Sequence, residues 1–266
     1  DLAAGGQGVP LAALPDFLLF HDHHETRVLV HLGGIARILL LPAGGRLPSV
    51  VGFEAGPCGI LLDGLIHQLT AGRETVDTGG KNAVQGTCIE PILEAWSSHP
   101  FFQRRPPKSL SRHHFGEAFI TQAIVESRKL GRGMHDILCT ATHFAARIIT
   151  RALARLCESG QKIDRVLLSG RGVRNGLLWH LLEQNLPNMK LFRTDEFGVP
   201  AGSRQAMGFA LLAALTMDGV PGNLPAATGA AGSRLLGCIT PGSMGNWERC
   251  LAWMAAQAAP AGLLAE

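Results

Sequence analysis

The chain has 266 residues, 46% of them hydrophobic and 17% charged, with a formal net charge of +3. So many apolar side chains can bury at least one sizeable core, which excludes a disordered polyelectrolyte. The 33 glycines and 15 prolines follow no period, so collagen-like and low-complexity chains are excluded and many turns are implied.

The six cysteines, Cys58, Cys88, Cys139, Cys157, Cys238 and Cys250, form no C-x-x-C pair and no metal-ligand spacing. A chain of this size does not need disulfide staples, so a reducing, cytoplasmic compartment is the simpler expectation. No apolar run approaches the length of a membrane span, and no membrane partner is expected. The chain opens without Met and without a signal or transit pattern, so it is expected to start partway through a larger protein. Lys and Arg are scattered except in QRRPPK (Gln103–Lys108), which reads as solvated surface; no nucleic-acid partner is expected.

In chain order, DLAAGGQGVP comes first. Its glycines would let a ligand approach the main chain while Asp1 and Gln7 supply directional hydrogen bonds, although fraying is an equally good expectation. HDHHE (His21–Glu25) lacks the one-face helical spacing of a zinc site and is not taken as one. From Arg27 to Glu54, short apolar segments broken by Gly and Pro turns predict a three-strand antiparallel meander. Glu54 is expected to end the third strand, with Gly56 and Pro57 turning the chain into a helix that carries Asp63. A strand-end carboxylate suits a general base; a solvated turn residue is the plainer alternative.

Further helices are predicted at about Ile89–Trp96, Phe115–Lys129 and Asp136–Glu158, with a surface loop between the first two of these. Strand (Arg165–Leu168), helix (Leu177–Leu186), strand (Met189–Phe192) and helix (Arg204–Thr216) follow, and a weak helix near Trp247–Gln257 lies in an Ala-rich tail. A meander feeding α/β units implies a mixed sheet flanked by helices. The glycine bend Ser169-Gly170-Arg171-Gly172 before Asn175 opens a helix whose first N–H groups favour anions, yet it matches neither a P-loop nor a full dinucleotide fingerprint.

Taken together, DLAAGGQGVPL, LGGIA, GFEAGP, PPKS, SGRGVRN, TDEFGVP and GVPGNLPAATGA occur in the order seen in bacterial anhydro-N-acetylmuramic acid kinases, and the resemblance runs to about Thr240. It implies an α/β fold of the actin-like ATPase, ribonuclease H-like type. Residues 1–24 would be a linker or remnant of a first lobe, 25–222 the second lobe and 223–266 a C-terminal tail. The implied activity is transfer of the γ-phosphate of ATP, with Mg2+, to a small anhydro amino sugar whose ring is opened by water, in a possible homodimer.

By motif position, Glu54 stands for the catalytic aspartate of G-[FY]-D-x-G-P-G-N, and Gly59 for that motif's Asn. Gly170, Gly172 and Asn175 stand on the nucleotide side, with Arg171 at the central glycine of G-G-G-x-x-N. Gly5, Gly6, Gln7 and Gln205 stand on the sugar side, Gln205 and Gly202 replacing acids of D-x-x-E-A. No metal ligand is assigned to the protein. His31 and Arg37 replace Asn in the strand pair, and the family's phosphate loop S-G-T-S-x-D-G does not occur in the chain. These departures keep a catalytically inactive scaffold or binding protein as the alternative.

Overall fold

A computed structural model describes residues 1–257. One sheet organises them, in the order β3-β2-β1-β4-β5. The meander β1 (Arg27–Leu32), β2 (Ile35–Leu41) and β3 (Val51–Pro57) is antiparallel, while β4 (Arg165–Ser169) and β5 (Lys190–Arg193) run parallel to β1. A meander extended by parallel strands on the first strand is the sheet of a ribonuclease H-like lobe, as found in actin-like ATPases.

Strand alternation assigns the two faces. Val28, Val30, Ile38, Leu40, Phe53, Val166 and Leu168 point into one core, which is covered by α2 (Gly59–Leu69), α3 (Glu90–Ser97), α4 (Glu117–Lys129), α5 (Met134–Glu158) and α6 (Gly176–Asn185). Leu29, Leu39, Leu41 and Leu167 point into a smaller core with residues of α1 (Ala13–Phe20) and α8 (Pro225–Thr228); α7 (Arg204–Met217) packs on α1. With both faces covered, β1 and β2 read as near-continuous apolar runs. Each fully buried Leu or Val contributes about 1.5–3 kcal/mol, so β1 anchors the lobe.

The chain divides into two units, Asp1–Leu236 and a second beginning at Gly237. In the second, α9 spans Met244–Gln257; the part of the expected tail from residue 258 onward lies outside the described residues. Among the described residues, no helix is long and apolar enough to cross a membrane.

Three expectations change. Residues 13–20 form α1, with no counterpart in the predicted elements. The expected surface loop buries Phe101, Phe102, Lys108 and Leu110, because two 3-10 turns, Pro100–Gln103 and Arg112–Phe115, fold it onto α5 and the edge of β3. The third strand runs past Glu54 to Pro57, so Glu54 lies mid-strand and is 2% exposed, neither a strand end nor a solvated turn.

Candidate functional site

The tight turn Gly33-Gly34 ends β1 and starts β2. Its carbonyls accept from the main-chain N–H groups of Cys58, Gly59 and Ile60 at 2.9 Å, so the first donors of α2 are satisfied inside the protein. A Cβ at Gly59 would lie 3.0 Å from the Gly33 carbonyl oxygen, a contact that a side chain there would need the turn to relieve by a few tenths of an ångström.

Alternation sends His31, Arg37, Glu54 and Ser169 to the α1/α7 face. The β2–β3 register slips between Ala36 and Arg37, leaving Ala55 as the extra residue of a bulge and Glu54 directly opposite Arg37. Bulges re-aim side chains in this way. Arg37 Nε donates to Glu54 Oε1 at 3.2 Å, and the Leu110 N–H donates to Oε2 at 2.7 Å. The Glu54 N–H donates to the Lys108 carbonyl, so the segment around Lys108 runs along the β3 edge. Each carboxylate oxygen keeps lone-pair capacity beyond these bonds.

A small cavity of about 100 Å3 lies on this face, lined by His31, Arg37, Asp16, Arg204 and Gln205 among others. His31 Nδ1 lies 3.1 Å from Ser169 Oγ. Burial pushes the imidazole down to about 3, with the charges of Arg204 and Arg37 adding to the effect. His31 is therefore neutral at neutral pH. Asp16 and Arg204 form a buried ion pair; burial raises the Asp16 carboxyl while Arg204 opposes the rise.

A second cavity, of about 280 Å3, lies past the β1 end, lined by Leu32, Gly33, Asp63, Gly79, Arg171, Gly172 and Asn175 among others. Gly170 has φ +88, and a Cβ there would lie 2.6 Å from the Leu32 carbonyl oxygen; one at Gly172 would lie 2.6 Å from Leu32 Cβ. The bend is glycine because it crosses the end of β1 at contact distance. Asn175 caps α6, its Oδ1 accepting from the Leu178 N–H at 3.0 Å. Arg171 pairs with Asp63 at 3.2 Å; burial raises the Asp63 carboxyl and Arg171 works against the rise.

At the start of the chain, Gly5 has φ +76 and Gly6 lies against the Asp1 carboxylate. Gln7 takes a hydrogen bond from Ser109 Oγ at 2.7 Å, and its N–H donates to the Thr228 carbonyl. Asp1 does not fray: its carboxylate accepts from Gly8 N–H, Asn223 Nδ2 and Thr228 Oγ1 at 2.7–2.9 Å.

Of the sequence-predicted site residues, Gln205 lines the smaller cavity, and Gly172 and Asn175 the larger. Glu54 adjoins the smaller one through Arg37. Gly170 packs against the β1 end outside both lining sets, and Gly5, Gly6 and Gln7 line neither.

The glycine bend, the acid of the GFEAGP strand and Gln205 thus cluster around the end of β1, and the model of one protein family, described as anhydro-N-acetylmuramic acid kinase, matches residues 1–242. The chain belongs to the anhydro-N-acetylmuramic acid kinase family. It is 41% identical over 241 residues to the anhydro-N-acetylmuramic acid kinase of Gloeobacter violaceus and 38% identical over 244 residues to that of Trichormus variabilis, in each case covering 91% of this chain. The chain spans 62% of the length of these relatives. Among solved structures, component A of the Acidaminococcus fermentans (R)-2-hydroxyglutaryl-CoA dehydratase overlaps 76% of this chain and 65% of its own at 15% identity and a TM-score of 0.43, a likeness too loose to bear on function.

Two partnerships escaped the sequence reading of this anhydro-N-acetylmuramic acid kinase family member. Arg37 with Glu54 was signalled by two departures from the motif in neighbouring strands. Asp16 with Arg204 carried no signal, because Asp16 falls on the helix absent from the predicted elements. The acids of HDHHE are engaged otherwise: Asp22 and Glu25 pair with Arg27, and Glu25 also with Arg165. Among the described residues, no group of three or more His, Cys, Asp or Glu side chains is arranged to hold a metal.

Proposed function

We propose that this chain is the second-lobe portion of an ATP-dependent kinase that phosphorylates a small anhydro amino sugar while water opens its ring. The observation that carries the reading is that two neighbours on β1, His31 and Leu32, line different cavities: one with Arg37 and Gln205, the other with Gly172 and Asn175. A donor and an acceptor held there would meet across the end of a single strand, and phosphoryl transfer depends chiefly on such positioning.

In this reading the Gly170–Gly172 bend and Asn175 receive the nucleoside side of ATP. The 280 Å3 cavity falls just below the roughly 300–1,000 Å3 typical of small-molecule sites, as a pocket built from one lobe alone would. Its glycine surface suits a close-lying ring, which supports the fit. Mg2+ would arrive with the phosphates and neutralise their charge. Gln205 would face the sugar, and the N-terminal segment would reach the same cavity at Gly8 and Val9 rather than at Gly5, Gly6 and Gln7. Glu54 would take a proton from water as the water oxygen bonds to the anomeric carbon. The anhydro C–O bond breaks, the freed oxygen attacks the γ-phosphorus and ADP leaves.

The test is ADP release by the full-length gene product with Mg-ATP, with and without anhydro-N-acetylmuramic acid. The reading expects sugar-dependent release that falls at least a hundredfold, about 2.7 kcal/mol of barrier, in Glu54→Gln. Absence of sugar-dependent release, with ATP still bound, would replace the kinase with a binding protein.

A further inference from the structure

A third cavity, of about 730 Å3, lies on the α5 face of the sheet. Its sheet floor includes Leu40 and Val51, which pair with each other; Leu40 also pairs with Val28. Val28 lies four residues before Leu32, or about 13 Å along β1. The cavity therefore sits on the opposite face from His31 and Glu54, its floor running from the Val28 level of the sheet up to Ala55 beside Glu54.

Its lining is of two kinds. Leu40, Val51, Phe53 and Ala55 from the sheet, with Ile148 from α5, make an apolar floor. Arg104, Arg105, Lys108, Arg151 and Arg155 supply five positive charges against the single acid Glu158. Among the described residues, none of these five cations is within ion-pair distance of a carboxylate. Like charges gathered without counter-charges repel one another, and an anion relieves that repulsion.

Two polar groups deepen the argument. Lys108 is buried in what sequence reasoning took for solvated surface; its Nζ donates to the Phe101 carbonyl at 3.2 Å and lies 4.4 Å from the centre of the Phe101 ring. An ammonium has three donors, so this contact leaves capacity unspent. Burial, with Arg155 and Arg104 nearby, pushes the amine down to about 8. Ser97, 3% exposed and also lining the cavity, has a hydroxyl with no hydrogen-bond partner. Buried polar groups are ordinarily paired, and a pair of unspent donors beside an open space points to a ligand that completes them.

We propose that this cavity binds a small amphipathic anion, an apolar body carrying one carboxylate or phosphate group. The apolar body lies on the Phe53 and Ile148 side and the head group among Arg105, Lys108, Arg151 and Arg155. Arginine forks suit the oxygens of either head group. Arg155 is already steadied by the Phe102 carbonyl and Gln103 Oε1. The volume falls within the range of small-molecule sites. The proposal does not depend on kinase activity, since none of the residues assigned to that activity lines this space.

The experiment is calorimetric titration of the chain with octanoate and with octyl phosphate, using octanol and inorganic phosphate as controls. Saturable one-site binding of at least one amphipathic anion is expected, at least tenfold tighter than either control. The tighter of the two anions identifies the head group. Arg105→Glu and Arg151→Glu, both at exposed positions, are each expected to weaken binding at least tenfold with thermal unfolding unchanged. No saturable binding of either anion, equal binding of octanol, or indifference to both charge reversals would overturn the proposal.

Discussion

Arg37 and Glu54 face each other across β2 and β3 at 3.2 Å, in the positions where the family motifs carry Asn and Asp. The longer acid has met a cation in place of an amide, and the bulge at Ala55 puts the two in register. Glu54 is buried while Arg37 is partly exposed, so removing only the cation leaves a carboxylate whose one remaining hydrogen-bond donor among the described residues is the Leu110 main-chain N–H. Arg37→Asn is expected to cost about 1–3 kcal/mol in urea unfolding. Adding Glu54→Asp, which restores the family pair, should recover part of that loss.

His31 gives a prediction with a defined pH window. Its folded-state value of about 3 lies below the ordinary 6.5, so between these values the unfolded chain binds more protons. The stability involved is fully present above pH 6.5 and is lost as pH falls towards 3. His31→Asn should therefore flatten the decline of the thermal midpoint across that window and remove about one proton from the uptake on acid unfolding.

Asp16 and Arg204 join α1 to α7 by a buried ion pair. Arg204→Met strands a buried carboxylate and is expected to cost about 3–5 kcal/mol, whereas Asp16→Leu combined with Arg204→Met should cost far less, because neither charge is then left alone. A double-mutant cycle read by denaturant unfolding measures the coupling.

Gly170 separates the turn's geometry from its chemistry. At φ +88, with the Leu32 carbonyl in the way, Gly170→Ala should lose about 1–3 kcal/mol of stability even in the absence of nucleotide. A thermal melt of the isolated chain reads this directly. A loss seen only in nucleotide affinity would mean that the bend tolerates a side chain and is kept glycine for the ligand.

Much of the lobe was legible because strand and helix periods are local. The apolar runs from Arg27 to Glu54 and the long pattern from Asp136 to Glu158 state their own geometry, and the observed β1–β3 and α5 follow it within a few residues. Glu54 and the Gly170 bend stood out in the sequence as candidate positions. Their neighbours did not. Which residue faces Glu54 depends on a one-residue slip in register, and what pairs with Arg204 depends on a helix nearly 200 residues earlier in the chain. The QRRPPK stretch misled for a related reason: polarity predicted exposure, but Lys108 is buried, with its ammonium over the Phe101 ring and near that of Phe53.

The hydrogen bonds from Asn223 and Thr228 to Asp1 span 222 and 227 residues of sequence. A clasp between such distant partners pays its loop-closure entropy only after the intervening segments have condensed, so it forms late in folding and is among the first contacts to open. The meander, closed by turns of a few residues, has no such debt. Local opening of the lobe should then begin at the Asp1 seam, exposing the amides of Gln7 and Gly8 to hydrogen exchange while those of β1 stay protected.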